Sequence, residues 1–286
     1  MFQNPALESR YAELTRHIAG MGSSIVVAFS AGVDSTLLVR ATRDALGVNR
    51  VIAATGLSDT YPAEEMQEAR ELAEELGVEH VLARTEELTD PRYAQNSHQR
   101  CFFCKSELYG RLDRIREERG FDLIIDGTNA DDLGDHRPGL RAARDLGVRS
   151  PMEEIGMTKD EIRQISNELG LRTWDKPAFA CLSSRFPYGT PITVEKLRQV
   201  AEAERVLRQL GFKGFRVRHH DTIARIEVSP EDFPAVLEHH DTIVEGIKAS
   251  GYRFVTLDLK GYTSGSLNEG LSIKLREATT HTASSA

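Results

Sequence analysis

The sequence lacks any uninterrupted apolar run of about 18 residues, the length that a membrane-spanning helix requires. Its first ten residues also lack the order of a signal peptide, in which a basic segment precedes an apolar one. These absences argue against a membrane-embedded protein and against a secreted one. We therefore expect a cytoplasmic protein with no membrane partner.

Cysteine is scarce, with only Cys101, Cys104 and Cys181 in 286 residues. An odd number of cysteines in a reducing compartment argues against a framework of structural disulfides. Metal binding, reactive thiols and simple packing remain as roles for these side chains.

Acidic residues outnumber basic ones: the chain contains 44 aspartates and glutamates and 36 lysines and arginines, which gives a formal net charge of −8. A chain with this charge gains little from nonspecific attraction to nucleic acid. We expect no nucleic-acid partner.

The first part of the chain alternates short apolar segments with helical patterns. The predicted strands are 25–29, 51–54, 80–83 and 122–126. The predicted helices lie near 34–46, 62–77, 101–119 and 158–170. This alternation predicts an α/β fold with a doubly wound parallel sheet, in which ligands bind at the carboxyl ends of the strands.

The pattern changes at about Ser184, after which strands and helices no longer alternate regularly. The predicted elements are helices near 193–210 and 231–249 and strands at 215–218, 223–228 and 254–259. We predict a first domain over 1–183 and a smaller α+β domain over 184–276. Residues 277–286 are rich in Thr, Ala and Ser and are predicted to form a disordered tail.

The most informative motif is Ser30-Ala31-Gly32-Val33-Asp34-Ser35, between the first predicted strand and the first predicted helix. Backbone N–H groups at a helix N-terminus bind anions, and Gly32 lets the backbone approach a phosphate. Ser30 and Ser35 add hydroxyl donors. The carboxylate of Asp34 would repel a phosphate unless a cation such as Mg²⁺ bridges the two. A cap and turn without a ligand is the alternative, but the place directly after the first strand favours a phosphate site.

Segment 126–132 follows the fourth predicted strand and reaches the same edge of the sheet. Gly127 permits an unusual backbone angle, Thr128 and Asn129 offer hydrogen bonds, and Asp132 can hold Mg²⁺ against the phosphates. A cluster of helix N-caps is the alternative.

Two further residues stand at this predicted edge. Ala28 lies near the end of the first predicted strand, and Thr55 directly follows the second. Since the carboxyl ends of parallel strands meet at one edge, we include both in the predicted nucleotide site.

Cys101 and Cys104 form a C-x-x-C pair at the start of a predicted helix, a position that favours thiolates. Together with Cys181 they can bind three irons of a [4Fe–4S] cluster and leave one iron open. Zinc would normally recruit a fourth ligand, for which His98 is the nearest candidate. The same three positions are also compatible with a single reactive Cys181 or with three unconnected cysteines.

Arg216 and Arg218 are separated by one residue in a predicted strand and therefore share a face. Two guanidinium groups on one face suit a phosphate or carboxylate ligand, and Arg185 can join them. A solvated strand edge is the alternative.

Together these motifs resemble the LarE family of ATP-dependent sulfur transferases, within the ATP pyrophosphatase (PP-loop) superfamily. Segment 30–35 is similar to the pyrophosphate loop of that superfamily, with Ala31 where glycine is usual. The resemblance extends from about Leu14 to Leu275, and its most specific part surrounds Cys181. The matching segments are 30–35, 126–129, 180–189, 215–218 and 256–262.

The resemblance implies that ATP, with Mg²⁺, adenylates a ring carboxylate of pyridinium-3,5-biscarboxylic acid mononucleotide and that pyrophosphate leaves. A sulfur nucleophile then displaces AMP and leaves a thiocarboxylate, on the way to the nickel-pincer nucleotide cofactor of lactate racemase. Asp34 and Cys181 are the implied catalytic residues. Arg185, Arg216 and Arg218 are the implied substrate ligands. The resemblance also implies a homo-oligomer, a hexamer.

The family contains two sources of sulfur. In its better-known members the residue that matches Cys181 donates its own sulfur, becomes dehydroalanine and acts once. A second type carries three cysteines and holds a [4Fe–4S] cluster, whose open iron carries sulfide from a sulfur donor. We favour the second type, with Cys101, Cys104 and Cys181 as ligands, because it gives all three thiols one role.

Different functions remain open from the sequence. A related superfamily enzyme thiolates tRNA, and an amide-forming ligase such as NAD synthetase uses the same loop without cysteines. A nucleotide-binding sensor would bind ATP and release no pyrophosphate.

Overall fold

The computed structural model of the chain describes residues 2–134, 138–177 and 180–263. One compact unit comprises residues 2–93, 99–134 and 138–177. A second comprises residues 94–98 and 180–263. The predicted tail, 277–286, lies outside the described residues. Within these ranges, no helix is both long and apolar enough to reach across a bilayer.

The first unit is built on a four-stranded sheet whose strands all run parallel. Their order across the sheet is β3-β2-β1-β4. The strands are β1 (Ile25–Ala28), β2 (Val51–Leu57), β3 (Glu79–Arg84) and β4 (Leu123–Ile125). All four predicted strands are therefore confirmed.

Helices connect these strands, and they include the four that the sequence predicts. The described helices up to residue 168 are α1 (Pro5–Ala19), α2 (Val33–Leu46), α3 (Ala63–Glu75), α4 (Pro91–Ala94), α5 (Arg100–Arg119), α6 (Pro138–Asp145), α7 (Pro151–Glu154) and α8 (Lys159–Glu168). The sequence analysis did not predict α1, α4, α6 or α7.

Alternate residues of β1 enter two different apolar cores. Ile25 and Val27 pack on one face of the sheet in a cluster that contains residues of α1, α2 and α8. Val26 belongs to a second cluster, with Tyr109 and Leu112 of α5. Since successive side chains of a strand point to opposite faces, helices cover both sides of the sheet. The predicted doubly wound α/β fold is confirmed.

The order of the strands places a topological switch point beside β1. β1 pairs with β2 on one side and with β4 on the other, so the chain order reverses between them. The loops after Ala28 and Ile125 leave the sheet side by side at this switch point, where open α/β sheets bind their ligands.

The second unit has a three-stranded sheet in the order β5-β6-β7. The strands are β5 (Arg216–His220), β6 (Ile223–Glu227) and β7 (Phe254–Leu257), and the helices are α9 (Val194–Gln209), α10 (Phe233–Glu238) and α11 (His240–Ala249). The first strand pair is antiparallel and the second is parallel, as in an α+β unit. Segment 231–249, predicted as one helix, is divided at His239, whose φ of −94° and ψ of 14° leave the helical range.

Candidate active site

The loop between β1 and α2 places helix N–H groups at the switch point. Gly32 is the N-cap of α2 and has an ordinary φ of −83°. The left-handed residue is Ala31, with a φ of 56°. The sequence analysis gave the special backbone role to Gly32, but the conformation that favours glycine falls on the buried alanine.

The two serines of the loop hold it in shape. The amide of Ser30 donates to Oγ of Ser35 at 3.2 Å, and the two hydroxyls are also 3.2 Å apart. Ser35 Oγ in turn donates to the carbonyl of Gly32 at 3.3 Å. The hydroxyl of Tyr61 donates to the carbonyl of Ser30 at 2.8 Å. The predicted donors are thus gathered in one turn.

Asp34, in the first turn of α2, is contacted from two other parts of the unit. Asn129 Nδ2 donates to its Oδ1 at 3.3 Å, and Lys159 Nζ donates to its Oδ2 at 2.5 Å. Lys159 is the first residue of α8, and the sequence analysis did not assign it to the site. Its only sequence signal is its place directly after Thr158, which begins a capping box with Glu161.

The loop after β4 packs directly on the start of α2. A Cβ atom added to Gly127 would lie 3.1 Å from the amide nitrogen of Ser35 and 3.2 Å from Cβ of Asp34. Thr128 and Asn129 are buried. The amide of Asn129 donates to Oδ2 of Asp132 at 3.1 Å. Gly127 is therefore needed because a side chain there would displace α2.

Asp126 fixes the same loop from the end of β4. Its Oδ2 accepts a hydrogen bond from Tyr109 Oη at 2.8 Å, and its Oδ1 accepts one from the amide of Thr128 at 3.1 Å. Burial, followed by the charge of Asp126, raises the pKa of Tyr109 well above its usual value. Tyr109 therefore remains a neutral hydrogen-bond donor to the carboxylate.

Thr55 and Ala28 lie at the predicted edge of the sheet. Ala28 ends β1 opposite Ala54 of β2. Thr55 Oγ1 donates to the carbonyl of Phe29 at 2.8 Å and lies 2.9 Å from His80 Nε2. In the described contacts, the hydroxyl of Thr55 ties the ends of the first two strands together.

Lys176 is a second cation that the sequence analysis did not assign. Its Nζ donates to the carbonyl of Ala31 at 3.2 Å. It also bonds to Glu65 at 2.8 Å and to Glu68 at 2.6 Å. The left-handed turn of the loop therefore accepts a hydrogen bond from a lysine that lies 145 residues further along the chain.

The carboxylates beside the loop fit a magnesium ion bound together with nucleotide. Mg²⁺ is usually held by one or two protein carboxylates together with substrate phosphates and water. Asp34 and Asp132 supply that number at the switch point, and both contact Asn129. Over residues 2–134, 138–177 and 180–263, no group of three or more His, Cys, Asp or Glu side chains forms a metal site by itself.

The three cysteines are divided between the units. Cys101 and Cys104 lie one turn apart at the start of α5, where Cys101 is exposed and Cys104 is partly buried. Cys181 is partly buried and precedes a short 3₁₀ turn over Leu182–Arg185 in the second unit. None of the three is joined in a disulfide, so each keeps the thiol that metal binding and sulfur chemistry both require.

The three arginines differ in their surroundings. Arg185 and Arg218 are buried, and each pairs with a glutamate of its own unit. Arg216 is partly buried and lies 5.0 Å from the ring centre of Tyr262. Burial, and then the charge of Arg185, lowers the pKa of Arg216.

Comparisons with known proteins agree with this geometry. The NAD synthase family model matches residues 8–113, which contain the loop and β1 to β3. An uncharacterized protein of Synechocystis is 45% identical over 93% of this chain and 99% of its own. An uncharacterized protein of Methanocaldococcus jannaschii is 32% identical over 59% of this chain and 66% of its own.

A relative with a named activity covers most of the chain. The pyridinium-3,5-bisthiocarboxylic acid mononucleotide synthase of Lactiplantibacillus plantarum is 39% identical over 86% of this chain and 90% of its own. This match includes both units, and it confirms the resemblance that the motifs indicated. The chain therefore belongs to the pyridinium-3,5-bisthiocarboxylic acid mononucleotide synthase (LarE) family, within the ATP pyrophosphatase superfamily.

Proposed function

We propose that the chain is an ATP-dependent sulfurtransferase that converts a carboxylate of pyridinium-3,5-biscarboxylic acid mononucleotide into a thiocarboxylate. The observation that carries the proposal is the arrangement around Asp34. A carboxylate, an ammonium group and an amide from three separate segments meet at the N-terminus of α2, beside the loop over residues 30–35. Such an arrangement suits a magnesium-bound triphosphate.

Adenylation is the first step of the proposed reaction. A ring carboxylate oxygen attacks the α-phosphorus of ATP, and the bond from that phosphorus to the bridging oxygen breaks, so that pyrophosphate leaves. Negative charge grows on the leaving pyrophosphate. Loop N–H groups and Lys159 stabilise that charge. Asp34 and Asp132 would hold Mg²⁺, which would supply further neutralisation of the phosphate charge.

Transfer of sulfur is the second step. A thiolate or sulfide attacks the acyl carbon of the adenylate, the carbon–oxygen bond breaks, and AMP leaves. If the nucleophile is Cys181, the product is a thioester. Loss of the Cα proton and cleavage of the Cβ–S bond then release the thiocarboxylate and leave dehydroalanine.

The three thiols match in number the protein ligands of a [4Fe–4S] cluster with one open iron. When bound by Cys101, Cys104 and Cys181, such a cluster would supply sulfide in place of the sulfur of Cys181. In either case the second unit carries Cys181, and we propose that it also binds the substrate. We take Arg216 as the candidate ligand of the substrate anion, because its side chain is only partly buried, whereas Arg185 and Arg218 are buried against glutamates.

The adenylation step is tested by pyrophosphate release from ATP in the presence of the pyridinium biscarboxylate. We expect Asp34→Ala to lose release at least about 10²-fold while its thermal unfolding remains cooperative. Asp241→Ala is the matched control, because the Asp241 side chain is 88% exposed in the second unit. Release at the wild-type rate by Asp34→Ala would contradict the placement of the nucleotide.

The sulfur source is tested on protein purified without oxygen. About four irons and acid-labile sulfide per chain, lost in Cys104→Ala, would support the cluster. Iron-free protein that completes a single turnover would instead support Cys181 as the donor. Mass spectrometry then shows loss of H₂S from the peptide that contains Cys181.

A further inference from the structure

Two arginine–glutamate pairs are buried in the second unit, and each bonds to the backbone of the segment 180–184, which contains Cys181. Arg185 donates from Nε and Nη2 to the two carboxylate oxygens of Glu204, at 2.7 and 2.9 Å. Arg218 donates from Nε and Nη2 to one oxygen of Glu227, at 2.9 and 2.7 Å. The side chains of Arg185 and Glu204 are only 2% and 3% exposed.

The remaining nitrogens of both arginines bond to the backbone around Cys181. Arg185 Nη1 donates to the carbonyls of Ala180, at 2.5 Å, and Cys181, at 3.0 Å, and to Oγ of Ser184 at 2.9 Å. Arg218 Nη1 donates to the carbonyl of Ser184 at 2.8 Å. The amide of Ser184 also donates to the carbonyl of Cys181, at 3.0 Å.

Glu204 orients Arg185 and is itself fixed. Its Oε1, which accepts from Arg185, also accepts a hydrogen bond from the amide of Val217 at the start of β5. The carboxylate is thus held between helix α9 and strand β5. The planar guanidinium group of Arg185 can then take only one orientation, which aims Nη1 at the Cys181 backbone.

Stability alone is a weak reason for such a pair. Desolvation of two charges costs about as much as their attraction returns, so apolar residues of similar size often stabilise a protein equally well. What apolar side chains cannot supply is a fixed donor for the carbonyls on either side of a reactive thiol.

We propose that Arg185 and Glu204 are positioning residues, which hold the backbone of Cys181 so that its sulfur has one fixed approach to the activated carbon. This inference rests on the proposed function, in which Cys181 takes part in sulfur transfer. It predicts that loss of the pair separates sulfur transfer from adenylation.

The test uses the full chain with the double substitution Arg185→Met/Glu204→Gln. Glutamine keeps an acceptor for the amide of Val217, and methionine leaves no unpaired buried charge. Glu202→Gln is the matched control, because Glu202 lies on the same helix and forms an exposed ion pair with Arg205. The readout is the amount of thiocarboxylate formed per pyrophosphate released.

We expect the double variant to fold and to release pyrophosphate within about twofold of the wild-type rate. We expect its thiocarboxylate yield per pyrophosphate to fall at least about tenfold, because the adenylate is lost to water. Loss of folded protein would lower both products in proportion and leave the ratio unchanged. An unchanged ratio in folded double variant overturns the proposal.

Hydrogen exchange separates this proposal from the proposed function. We expect the amides of Ser184 and Phe186, which bond to the carbonyls of Cys181 and Ser183, to exchange at least about tenfold faster in the double variant. This result does not depend on the substrate. If the wild-type protein releases no pyrophosphate, the proposed function fails, but the exchange of these amides still tests whether Arg185 and Glu204 hold the Cys181 backbone. Equal exchange rates in the double variant and the wild type would reject that role.

Discussion

Lys159 Nζ lies 2.5 Å from Oδ2 of Asp34, and the two residues are separated by 125 positions in the sequence. The lysine begins α8 and the aspartate lies in the first turn of α2, so the contact joins the N-termini of two helices. Positive potential from both helix ends and from the ammonium group therefore surrounds one carboxylate. Such a centre can receive a phosphate group and its cation.

We expect Lys159→Met to reduce pyrophosphate release about 10²-fold, because it removes a donor to the growing negative charge and keeps the length of the side chain. Steady-state release as a function of ATP concentration measures the effect. Lys248→Met is the control, since Lys248 is an exposed residue in the last turn of α11. Wild-type kcat and KM in Lys159→Met would exclude a role for this ammonium group in the reaction.

Ala31 provides a test of the loop conformation. A β-branched residue at a φ of 56° is strongly disfavoured, so we expect Ala31→Val to lower the free energy of unfolding by about 1–2 kcal/mol or more. We also expect it to lose ATP-dependent pyrophosphate release. Ala31→Gly is the matched control, because glycine adopts this φ without strain, and it should keep wild-type activity. Urea denaturation and the release assay measure both effects.

Gly127 tests the contact between the second loop and α2. We expect Gly127→Ala to destabilise the protein and to raise the KM for ATP, because the added Cβ lies 3.1 Å from the amide nitrogen of Ser35. Gly110→Ala is the control, and we expect it to change the stability in the opposite direction. Gly110 lies inside α5 with open space around its Cβ position, so alanine there should stabilise the helix by about 1 kcal/mol. Equal effects of the two substitutions would show that the contact is unimportant.

The surroundings of His219 lead to a prediction of how the stability of the protein depends on pH. Its ring is buried, Nδ1 lies 3.0 Å from the hydroxyl of Tyr252, and Nε2 has no described partner. Burial, and then the charge of Lys196, lowers the pKa of His219 below its usual 6.5. The unfolded chain therefore binds a proton more readily than the folded one, and stability falls as the pH drops below about 6.5.

We expect His219→Gln to reduce this loss of stability between about pH 7.5 and 5.5, because glutamine does not titrate. Urea unfolding at both pH values measures the difference. His240→Gln is the control, since it makes the same substitution at a histidine of the same unit that is 63% exposed. The same pH dependence in His219→Gln and wild type would exclude His219 as its source.

Local patterns in the sequence determined the architecture of the chain. Apolar segments of four or five residues predicted the strands of the first unit, and apolar residues at helical spacing predicted α2, α3, α5 and α8. Such patterns indicate which apolar side chains are buried when the chain folds. The start of α1 has a local signal, because Asn4 caps the helix and Pro5 begins it.

The sequence predicted that the loops after the first, second and fourth strands share one edge of the sheet, because the carboxyl ends of parallel strands lie together. The strand order in the structure then decided that the loops after β1 and β4 flank the switch point. It assigned Asp34 and Asn129 to the site, and the structure brings these two side chains into contact. It could not assign Lys159 or Lys176 to the site. A lysine in the first turn of a helix or in a loop has no local pattern that separates a ligand from a solvated charge.

Tertiary structure alone decided the rest. It assigned the left-handed turn to Ala31, where neighbouring contacts fix a conformation that the residue type disfavours. It paired Arg185 with Glu204 and bonded the same guanidinium group to the backbone at Cys181, while the contact of Arg185 with substrate stays a prediction. Burial and distant contacts decide which partner a charged side chain finds, whereas its own neighbours in the sequence decide only the helix or strand that carries it.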